Sequence, residues 1–379
     1  MKDHSLEVHG CHTYDATGAI SPSICLSATF RHPRFGESTG YDYGRVANPT
    51  RESLEKTVAL LERGGRSWAL SSGMAAVQLV FSLLSAGDHV LMSEDLYGGT
   101  VRLAEEVFAG YGITFEYVDV RDLALVGKRM RPETKLVFIE TPSNPMMQIS
   151  DIAALSALAH ENGALLAVDN TFLSPHFQKP LTLGADIVLH SGTKYLCGHN
   201  DVIAGFLVLK DATSAEAKRI ELLAKSAGPN LSALDSWLML RSIKTLGVRV
   251  ERQAENALAI ARWLGTLPEV TEVLYPGLAD HPGYALQQKQ ASGTGGMISF
   301  KVRSAEIAKA ALGKLHLIAF AESLGGVETL LTYPIAQTHA EMPAALLKRT
   351  GLDDKLLRLS VGIEDVEDLK ADLQQALQG

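Results

Sequence analysis

The sequence predicts an α/β protein built on a mostly parallel β-sheet, followed by a smaller C-terminal α+β domain. Between about residues 89 and 210, short apolar runs rich in β-branched residues recur, and amphipathic stretches separate them. Near-continuous apolar strands that alternate with helices are typical of a parallel sheet covered on both faces. Ligands of such sheets bind at the carboxyl ends of the strands, so the residues that follow each run are the candidates for function.

The elements of this fold can be placed in chain order. Residues 1–46 are rich in Gly, Ser, Thr and Pro and predict an extended arm. A helix with an apolar stripe begins after Asp151 as its N-cap and ends near Gly163. Residues 229–264 predict long helices, with Gly247 as a possible interruption. The predicted strands are "SWAL", "HVLMSE", "TFEYVDV", "KLVFIET", "LLAVDNT", "DIVLHSG" and "AGFLVLK", and then "GGMISFKV" and "LLRLSVG" in the C-terminal part.

These elements divide the chain of 379 residues into three parts. The arm covers residues 1–46, the α/β domain residues 47–245, and the C-terminal α+β domain residues 246–379. The net charge of −8 gives no electrostatic reason to expect nucleic acid or an anionic membrane as partner. Apolar runs are too short to span a bilayer, the first ten residues resemble no signal peptide, and the three cysteines form no CxxC pair. A reduced, cytoplasmic protein is predicted.

The segment "LHSGTKYLCGH" places Lys194 just after an apolar strand, among small hydroxyl residues. A lysine that serves only solubility belongs on a helix surface, where its stem lies on the protein and its ammonium group in water. A lysine at a strand end suits a different use, in which it loses its charge and forms an imine with an aldehyde cofactor.

Asp169 ends the preceding strand, "LLAVD", in a poorly solvated place. Taken alone, it is more often a turn or N-cap aspartate, and with Lys194 it could also form a structural ion pair. Pyridoxal phosphate gives the two residues another use, because its ring needs a lysine for the aldehyde and an aspartate that keeps the pyridine nitrogen protonated.

A phosphate site and a stacking ring complete the requirements of this cofactor. "SSGMAA" at residues 71–76 follows a strand and opens a helix, whose N–H groups can bind an anion, although an ordinary strand–helix junction has the same pattern. Ser191 and Thr193 add hydroxyl groups beside Lys194, and Tyr97 in "DLYGGT" offers an aromatic ring.

With these motifs in place, the chain resembles the Cys/Met-metabolism (transsulfuration) family of pyridoxal-phosphate enzymes, which have the fold-type I architecture. Within that family it is most similar to bacterial cystathionine γ-synthases and O-acetylhomoserine thiol-lyases. The resemblance covers essentially the whole chain and rests on eight ordered motifs: "YDYGRVANPTR", "SSGMAA", "DLYGGT", "ETPSNP", "VDNTF", "SGTKYLCGHND", "ESLGGVETL" and "LRLSVGIED".

The resemblance implies roles for individual residues. Lys194 is the Schiff-base lysine and proton shuttle, and Tyr97 stacks on the ring and assists proton transfer. Asp169 contacts the pyridine nitrogen in this resemblance. The implied phosphate contacts are the backbone of Gly73 and Met74 and the hydroxyls of Ser191 and Thr193. Tyr43 and Arg45 reach the phosphate from a neighbouring subunit. Asn144 and Ser323 position cofactor and substrate, and Arg358 binds the substrate carboxylate.

The residues around Arg358 support that last role independently. In "KLLRLSVG" the arginine alternates with Leu357 and Leu359, so it lies on the opposite face of its strand. A guanidinium on a strand face needs an anionic partner, and its fork matches an amino acid's carboxylate. A structural salt bridge is the alternative.

The resemblance implies small-molecule amino-acid substrates and a homo-oligomer, a dimer with shared sites whose expected assembly is a tetramer. Similar γ-synthases and γ-lyases often carry a glutamate at the position of Glu322, which could bind the amino group of cystathionine or of incoming cysteine. The segments "RHPRFGESTGYDYGRVANPTR" and "AESLGGVETLLTYPIAQTHAEMP" are most similar to bacterial cystathionine γ-synthases that also use sulfide. This resemblance favours γ-replacement on an O-acyl-L-homoserine by cysteine, which gives cystathionine, or by sulfide. The alternative is a cystathionine γ- or β-lyase that cleaves a C–S bond. Gly99 stands where methionine γ-lyases carry a reactive cysteine, which argues against that activity.

Two alternatives, a non-catalytic cofactor-binding protein and a metal site, fit the motifs less well. A non-catalytic protein that stores or senses the cofactor would not need Tyr97, Glu322 and Arg358 beside a cofactor set. The groups His9–Cys11–His12 and His190–Cys197–His199 have metal-like spacing, but the first lies on an arm and the second beside the lysine loop. The sequence predicts no metal site.

Overall fold

The computed structural model of the chain describes residues 1–11 and 17–378, and none of its helices is both long and apolar enough to cross a membrane. It confirms the predicted architecture: a seven-stranded, mostly parallel sheet lies between helices, and a five-stranded sheet forms a second unit. The larger sheet has the spatial order β1-β7-β6-β5-β4-β2-β3, with β7 antiparallel to its two neighbours. Its strands, in chain order, are β1 (Arg66–Leu70), β2 (His89–Ser93), β3 (Thr114–Val118), β4 (Thr134–Glu140), β5 (Leu165–Asp169), β6 (Ile187–Ser191) and β7 (Gly205–Leu209).

Both faces of the larger sheet are buried, as the near-continuous apolar runs predict. Along β4, Val137 and Ile139 pack into one apolar cluster, and Leu136 and Phe138 pack into another on the opposite face. The alternation of side chains along a strand therefore serves two cores at once. The helices of this part are α1 (Asp3–His9), α2 (Pro49–Leu61), α3 (Gly73–Phe81), α4 (Gly98–Leu103), α5 (Leu123–Arg129), α6 (Ile152–Glu161), α7 (Ser174–Phe177), α8 (Ala215–Ala227) and α9 (Ala233–Ile243).

Helix ends follow the local sequence. The Asp151 side chain accepts a hydrogen bond from the Ala154 N–H and caps α6, as predicted, and Gly163 just beyond the helix has a left-handed φ of 70°. Ser72 caps α3 in the same way through the Ala75 N–H. Short helical turns of other types lie at Ala104–Phe108, Ala109–Tyr111, Pro180–Leu183 and Pro334–Ala336.

The smaller sheet has the order β10-β11-β12-β9-β8. Its strands are β8 (Val270–Leu274), β9 (Met297–Val302), β10 (Ala319–Phe320), β11 (Leu330–Thr332) and β12 (Leu356–Ser360), and its helices are α10 (Leu246–Leu264), α11 (Tyr284–Gln290), α12 (Ala305–Leu312), α13 (Ala344–Thr350) and α14 (Val366–Gln378). A third apolar cluster packs α10, α12 and α14 against this sheet. The boundary predicted between residues 245 and 246 stays a prediction.

Two local features differ from the sequence prediction. The break between the long helices lies at residues 244–245, and Gly247 lies within the first turn of α10. The predicted extended arm begins with helix α1, which is anchored by the buried side chains of Leu6 and Glu7. Residues 17–47 contain neither helix nor strand beyond a bridge between Thr29 and Tyr43. His12, one of the residues with metal-like spacing, lies outside the described residues.

Candidate active site

Lys194 follows β6 in a tight turn, and its side chain points into a cavity at the carboxyl edge of the larger sheet. The Nζ atom donates a hydrogen bond to Ser323 Oγ at 2.8 Å. Burial, together with the positive charge of Arg358, lowers the pKa of Lys194 to about 8, against the opposing effect of Glu322. The amine is therefore available in its neutral, nucleophilic form close to neutral pH.

Asp169 ends β5, the strand next to β6. Its Oδ1 accepts hydrogen bonds from the backbone N–H of Thr171 at 3.0 Å and from its hydroxyl at 2.5 Å. This is the turn contact expected of an ordinary aspartate, but the residue also lines the cavity. Burial raises the pKa of the Asp169 carboxyl, so a cationic partner in the cavity would lower the cost of its charge.

Glu140 lies beside Asp169 in the sheet and was not singled out by the sequence analysis. Its Oε2 atom accepts the backbone N–H of Tyr97 at 2.9 Å. Burial and the nearby Asp169 carboxylate raise its pKa well above the ordinary value. The sequence signal was present, because Glu140 opens the "ETPSNP" motif at the end of β4. Its contact shows how β4 fixes the loop that carries Tyr97.

The N-terminus of α3 approaches the end of β6 closely at Gly73. A Cβ atom at this position would lie 2.9 Å from Ser191 Cβ, nearer than side chains tolerate, so a glycine is required. Met74 follows in the first turn, and the hydroxyl of Thr193 exchanges hydrogen bonds with the Ala204 backbone at 3.0 and 3.2 Å. The first N–H groups of α3 and the hydroxyls of Ser191 and Thr193 thus lie at one end of the cavity, where an anion can bind.

Arg358 enters the cavity from β12 of the smaller sheet and is almost fully buried. Its Nη1 donates to Asn144 Oδ1 at 2.7 Å, and Nη2 lies 3.4 Å from acceptors on Ser323 and Thr332. Burial lowers its pKa to about 10. Within residues 1–11 and 17–378, no carboxylate is in salt-bridge contact with this guanidinium, which is the opposite of what a structural ion pair predicts.

Ser323 connects the two charged groups of the site. Its hydroxyl accepts from Lys194 and its carbonyl from Arg358, and its φ of 96° is unusual for a residue with a side chain. His339 was not predicted either: a nitrogen of its buried ring lies 3.1 Å from the Asn144 carbonyl, and burial lowers its pKa to about 4. Since the partners are 195 residues apart, no local pattern could have indicated this contact.

The cavity has a volume of about 320 Å³. It brings together every predicted site residue except two; those that line it are Gly73, Met74, Tyr97, Asn144, Asp169, Ser191, Thr193, Lys194, Glu322, Ser323 and Arg358. The exceptions are Tyr43 and Arg45. The Arg45 guanidinium lies 5.6 Å from the Tyr43 ring centre and binds the Lys225 carbonyl. Their predicted role, in the site of a neighbouring subunit, stays a prediction.

These residues fit pyridoxal phosphate. A neutral lysine for the aldehyde, a buried carboxylate for the ring nitrogen and a glycine-dependent anion site for the phosphate face one cavity. Tyr97, about two-fifths exposed, lies at the mouth with its ring free to stack. Each of these groups suits a different part of the cofactor.

Comparison with known proteins agrees with this site. The family model for the Cys/Met metabolism PLP-dependent enzymes matches residues 4–378. The chain is 47% identical over 379 residues, and over the full length of both chains, to the cystathionine gamma-lyase of Bacillus subtilis (strain 168). It is 46% identical to the cystathionine gamma-synthase/O-acetylhomoserine (thiol)-lyase of the same organism, over 96% of this chain and 92% of the relative.

A solved structure shares the fold. A cystathionine gamma-lyase from Lactobacillus plantarum, complexed with L-serine, superposes with a TM-score of 0.96 at 43% identity, over 99% of this chain and 98% of that chain. Such relatives are fold-type I enzymes, and they carry both synthase and lyase names. By its sequence, its fold and its site, the chain belongs to the pyridoxal-phosphate-dependent enzymes of cysteine and methionine metabolism.

Proposed function

We propose that the protein catalyses γ-replacement on an O-acyl-L-homoserine, in which cysteine displaces the acyl group to give cystathionine, or sulfide displaces it instead. The observation that carries the proposal is the placement of two opposite charges in one cavity. Arg358 and Glu322 both line it, and both act on the amine of Lys194. A cation for the α-carboxylate and an anion for a distal ammonium group match cystathionine, the product of this reaction, and the incoming cysteine that brings its second ammonium group.

Bound pyridoxal phosphate supplies an aldehyde that links to the substrate amino group and a ring that withdraws electrons from the α-carbon. Lys194, Asp169 and the N-terminus of α3 would hold it, with Ser191 and Thr193 at the phosphate. The buried Asp169 carboxylate keeps the ring nitrogen protonated, because separating the two charges would leave an unpaired anion in a poorly solvated place.

Lys194 serves as the general base. Its pKa of about 8 means that the released amine is neutral in a useful fraction of molecules and can still carry a proton to the next position. It removes the proton at the substrate α-carbon, and a γ-reaction then requires a second proton to leave the β-carbon before the acyl group departs. Tyr97, held by Glu140 at the cavity mouth, assists these transfers.

Arg358 fixes the substrate. Its Nη1 bond to Asn144 and its Nη2 contacts set the plane of the guanidinium, and a carboxylate in that plane accepts two parallel hydrogen bonds. Anchoring the carboxylate holds the α-hydrogen within reach of Lys194, since the Ser323 residue contacts both side chains.

A second candidate is C–S bond cleavage of cystathionine, as a γ-lyase or β-lyase. The observation in its favour is the B. subtilis cystathionine gamma-lyase, which is similar to this chain over the entire length of both proteins. The same Lys194 and Arg358 geometry serves elimination and replacement, because the two reactions differ in whether a nucleophile enters after the leaving group departs.

One assay separates the candidates. Purified enzyme is given acetyl-, succinyl- or phospho-homoserine with cysteine or with sulfide, and in parallel cystathionine alone, and the products are followed by mass. The proposal expects cystathionine or homocysteine from an acyl-homoserine at a higher kcat/KM than cleavage of cystathionine. Faster cleavage of cystathionine would establish the lyase instead, and no turnover of any sulfur amino acid would point to a non-catalytic cofactor-binding protein.

A chemical test addresses the lysine directly. Reduction of the yellow holoenzyme with borohydride should fix the cofactor on Lys194, which peptide mass analysis can locate. Lys194→Ala should keep the circular dichroism spectrum of the fold and lose turnover, because the covalent link and the proton carrier are removed together. A label on another lysine would refute the assignment.

We also infer a homo-oligomer in which the arm of one subunit completes its neighbour's site, with a tetramer as the expected assembly. Its support is the exposure of Tyr43 and the position of Arg45 outside this chain's own cavity. A reduced, cytoplasmic setting is proposed on the cysteines, because Cys11, Cys25 and Cys197 are all unpaired.

A further inference from the structure

Two histidines and two glutamates from three distant segments meet beside the first helix. His4 and Glu7 lie on α1, His176 on α7 and Glu251 on α10. One ligand atom from each of His4, Glu7 and His176 lies within 4.8 Å of the other two. No local sequence pattern groups these residues, because Glu7 and His176 are 169 positions apart.

The two carboxylates lie on opposite sides of the imidazole rings. Glu7 faces the Nδ1 atoms, with Oε1 2.7 Å from His176 Nδ1 and Oε2 3.8 Å from His4 Nδ1. Glu251 faces the Nε2 atoms, with Oε1 3.4 Å from His4 and 3.3 Å from His176. A carboxylate at the far nitrogen of each ring is the arrangement that orients histidine ligands around a metal ion.

This arrangement favours a cation, because carboxylates face both nitrogens of each ring. A neutral imidazole has one N–H, and if Nε2–H faces Glu251, the Nδ1 lone pair faces the Glu7 carboxylate, which repels it. A second proton on each ring would relieve the repulsion but place two like charges side by side, since the ring centres are 5.2 Å apart. One divalent ion between the Nδ1 atoms and Glu7 satisfies both rings and the carboxylate together.

Gly247 leaves the space that the cluster occupies. A Cβ atom there would lie 2.6 Å from Glu7 Oε2 and 2.8 Å from His4 Nδ1, and its N–H donates to Glu7 Oε2 at 3.1 Å. Glycine is normally less favourable than alanine within a helix, so this position requires a local reason. The closeness of the cluster supplies one, and the bond from Gly247 fixes the buried Glu7 carboxylate.

The nearest lysine does not neutralise the cluster. Lys179 Nζ lies 2.9 Å from Asp3 Oδ2 and 2.6 Å from the Pro175 carbonyl, so its charge is already paired. Arg63 also binds Asp3. Among the described residues, Glu7 and Glu251 are in salt-bridge contact only with His4 and His176.

We propose that His4, Glu7 and His176 bind one divalent transition-metal ion of the Zn²⁺ class, with Glu251 orienting the two rings. Two imidazole nitrogens and a carboxylate oxygen are a ligand set that Zn²⁺ accepts. Bond lengths of about 2.0–2.2 Å in a tetrahedron place ligand atoms roughly 3.3–3.6 Å apart. Binding displaces the proton shared by Glu7 and His176 and opens their contact by a fraction of an ångström, so one proton is released.

The ion would fasten α1, where the arm begins, to α7 and α10. The experiment uses full-length, cofactor-loaded protein freed of metal by a chelator and titrated with Zn²⁺ by calorimetry, with Co²⁺ absorbance as a second readout. The expected result is one ion per chain, a tetrahedral Co²⁺ spectrum and a higher melting temperature with metal. The cofactor absorbance should stay unchanged, which separates this site from the active site.

Matched variants make the test specific. His176→Gln should weaken Zn²⁺ binding at least about 10-fold, and Gly247→Ala should weaken it as well by crowding the ligands. His160→Gln is the control, since His160 is a half-exposed histidine paired with Asp186 at 2.8 Å, and it should bind as the wild type does. If His176→Gln does not fold, His4→Gln replaces it, because His4 is exposed. Absence of binding would show that the cluster holds no metal ion, and equal binding by all variants would show that the ion binds elsewhere; either result would refute the proposal.

Discussion

Replacing Lys194 by methionine should make the cofactor-free protein more stable at neutral pH. The pKa of Lys194 is about 8 in the folded chain and 10.5 in ordinary surroundings, chiefly because of burial. Since each pKa unit corresponds to about 1.4 kcal/mol, burying the ammonium costs about 3 kcal/mol. Methionine has a similar shape without the charge, so the substitution removes this cost. It also removes the hydrogen bond to Ser323, which lowers the free energy of unfolding by about 1 kcal/mol. The net increase in the free energy of unfolding is therefore about 2 kcal/mol.

The stability difference between Lys194→Met and the wild type should depend on pH. Below pH 8 the lysine is protonated in both the folded and the unfolded chain, so the full cost applies. Between pH 8 and 10.5 the unfolded chain binds more protons, and the wild type gains stability as the pH rises. The advantage of Lys194→Met should therefore shrink across this window.

Urea unfolding at fixed protein concentration, repeated from pH 7 to above pH 10, measures this difference, and Lys210→Met serves as the control because Lys210 is exposed. The claim that burial of the ammonium group destabilises the fold would be refuted if Lys194→Met were no more stable than wild type at pH 7 and if the difference in their free energies of unfolding did not change at higher pH.

Three further results are expected. Arg358→Ala should raise KM about 100-fold, since hydrogen bonds to a charged group are worth up to about 3 kcal/mol. The absorbance spectrum of the cofactor should stay unchanged. Loss of that spectrum would mean that Arg358 stabilises the fold instead. Gly73→Ala should lose cofactor on dialysis because its Cβ has no room at the end of β6, whereas Gly110→Ala, which has open space, should retain it. Lys194→Ala and Arg45→Ala should each be nearly inactive alone, but mixing them under conditions of subunit exchange should restore roughly a quarter of wild-type activity. Half of the dimers are then hybrids, and each hybrid has one intact site of two. No recovery despite proven exchange would mean that the arm serves its own subunit.

The larger sheet was predictable because its signal is local. Apolar runs such as the one that ends at Asp169 specify strands buried on both faces, and parallel strands bring their carboxyl ends to one edge. The residues that follow those runs, Tyr97 and Lys194 among them, therefore had to lie near one another. The same reasoning located Arg358 on a strand, since it needs only the alternation of side chains.

What the sequence did not reveal depends on contacts between distant segments. Helix α1 has seven residues, too few for local propensity to establish it, and is held by Glu7 and Leu6 against the body of the protein. Gly247 resembles a helix breaker, yet it lies inside a helix because a neighbouring helix approaches there. The role of Glu140 depends on two strand pairings: β4 beside β5 brings it to Asp169, which helps to raise its pKa, and β4 beside β2 brings it to the Tyr97 N–H.

The cavity draws its residues from two sheets, and this separation has an evolutionary consequence. Asp169 ends a strand of the larger sheet, and Lys194 and Gly73 lie beside its carboxyl edge. Arg358 lies on β12 of the smaller sheet, and Glu322 lies in the loop between β10 and β11. If Arg358 and Glu322 select the substrate, as proposed, substitutions near them would change specificity while Lys194, Asp169 and Gly73 keep their positions. With this arrangement, a duplicated gene can acquire a new substrate specificity through few substitutions. A mutational library of residues 320–322 and 324–338, which leaves out Ser323 because it accepts a hydrogen bond from Lys194, should therefore change substrate preference while the protein still binds pyridoxal phosphate.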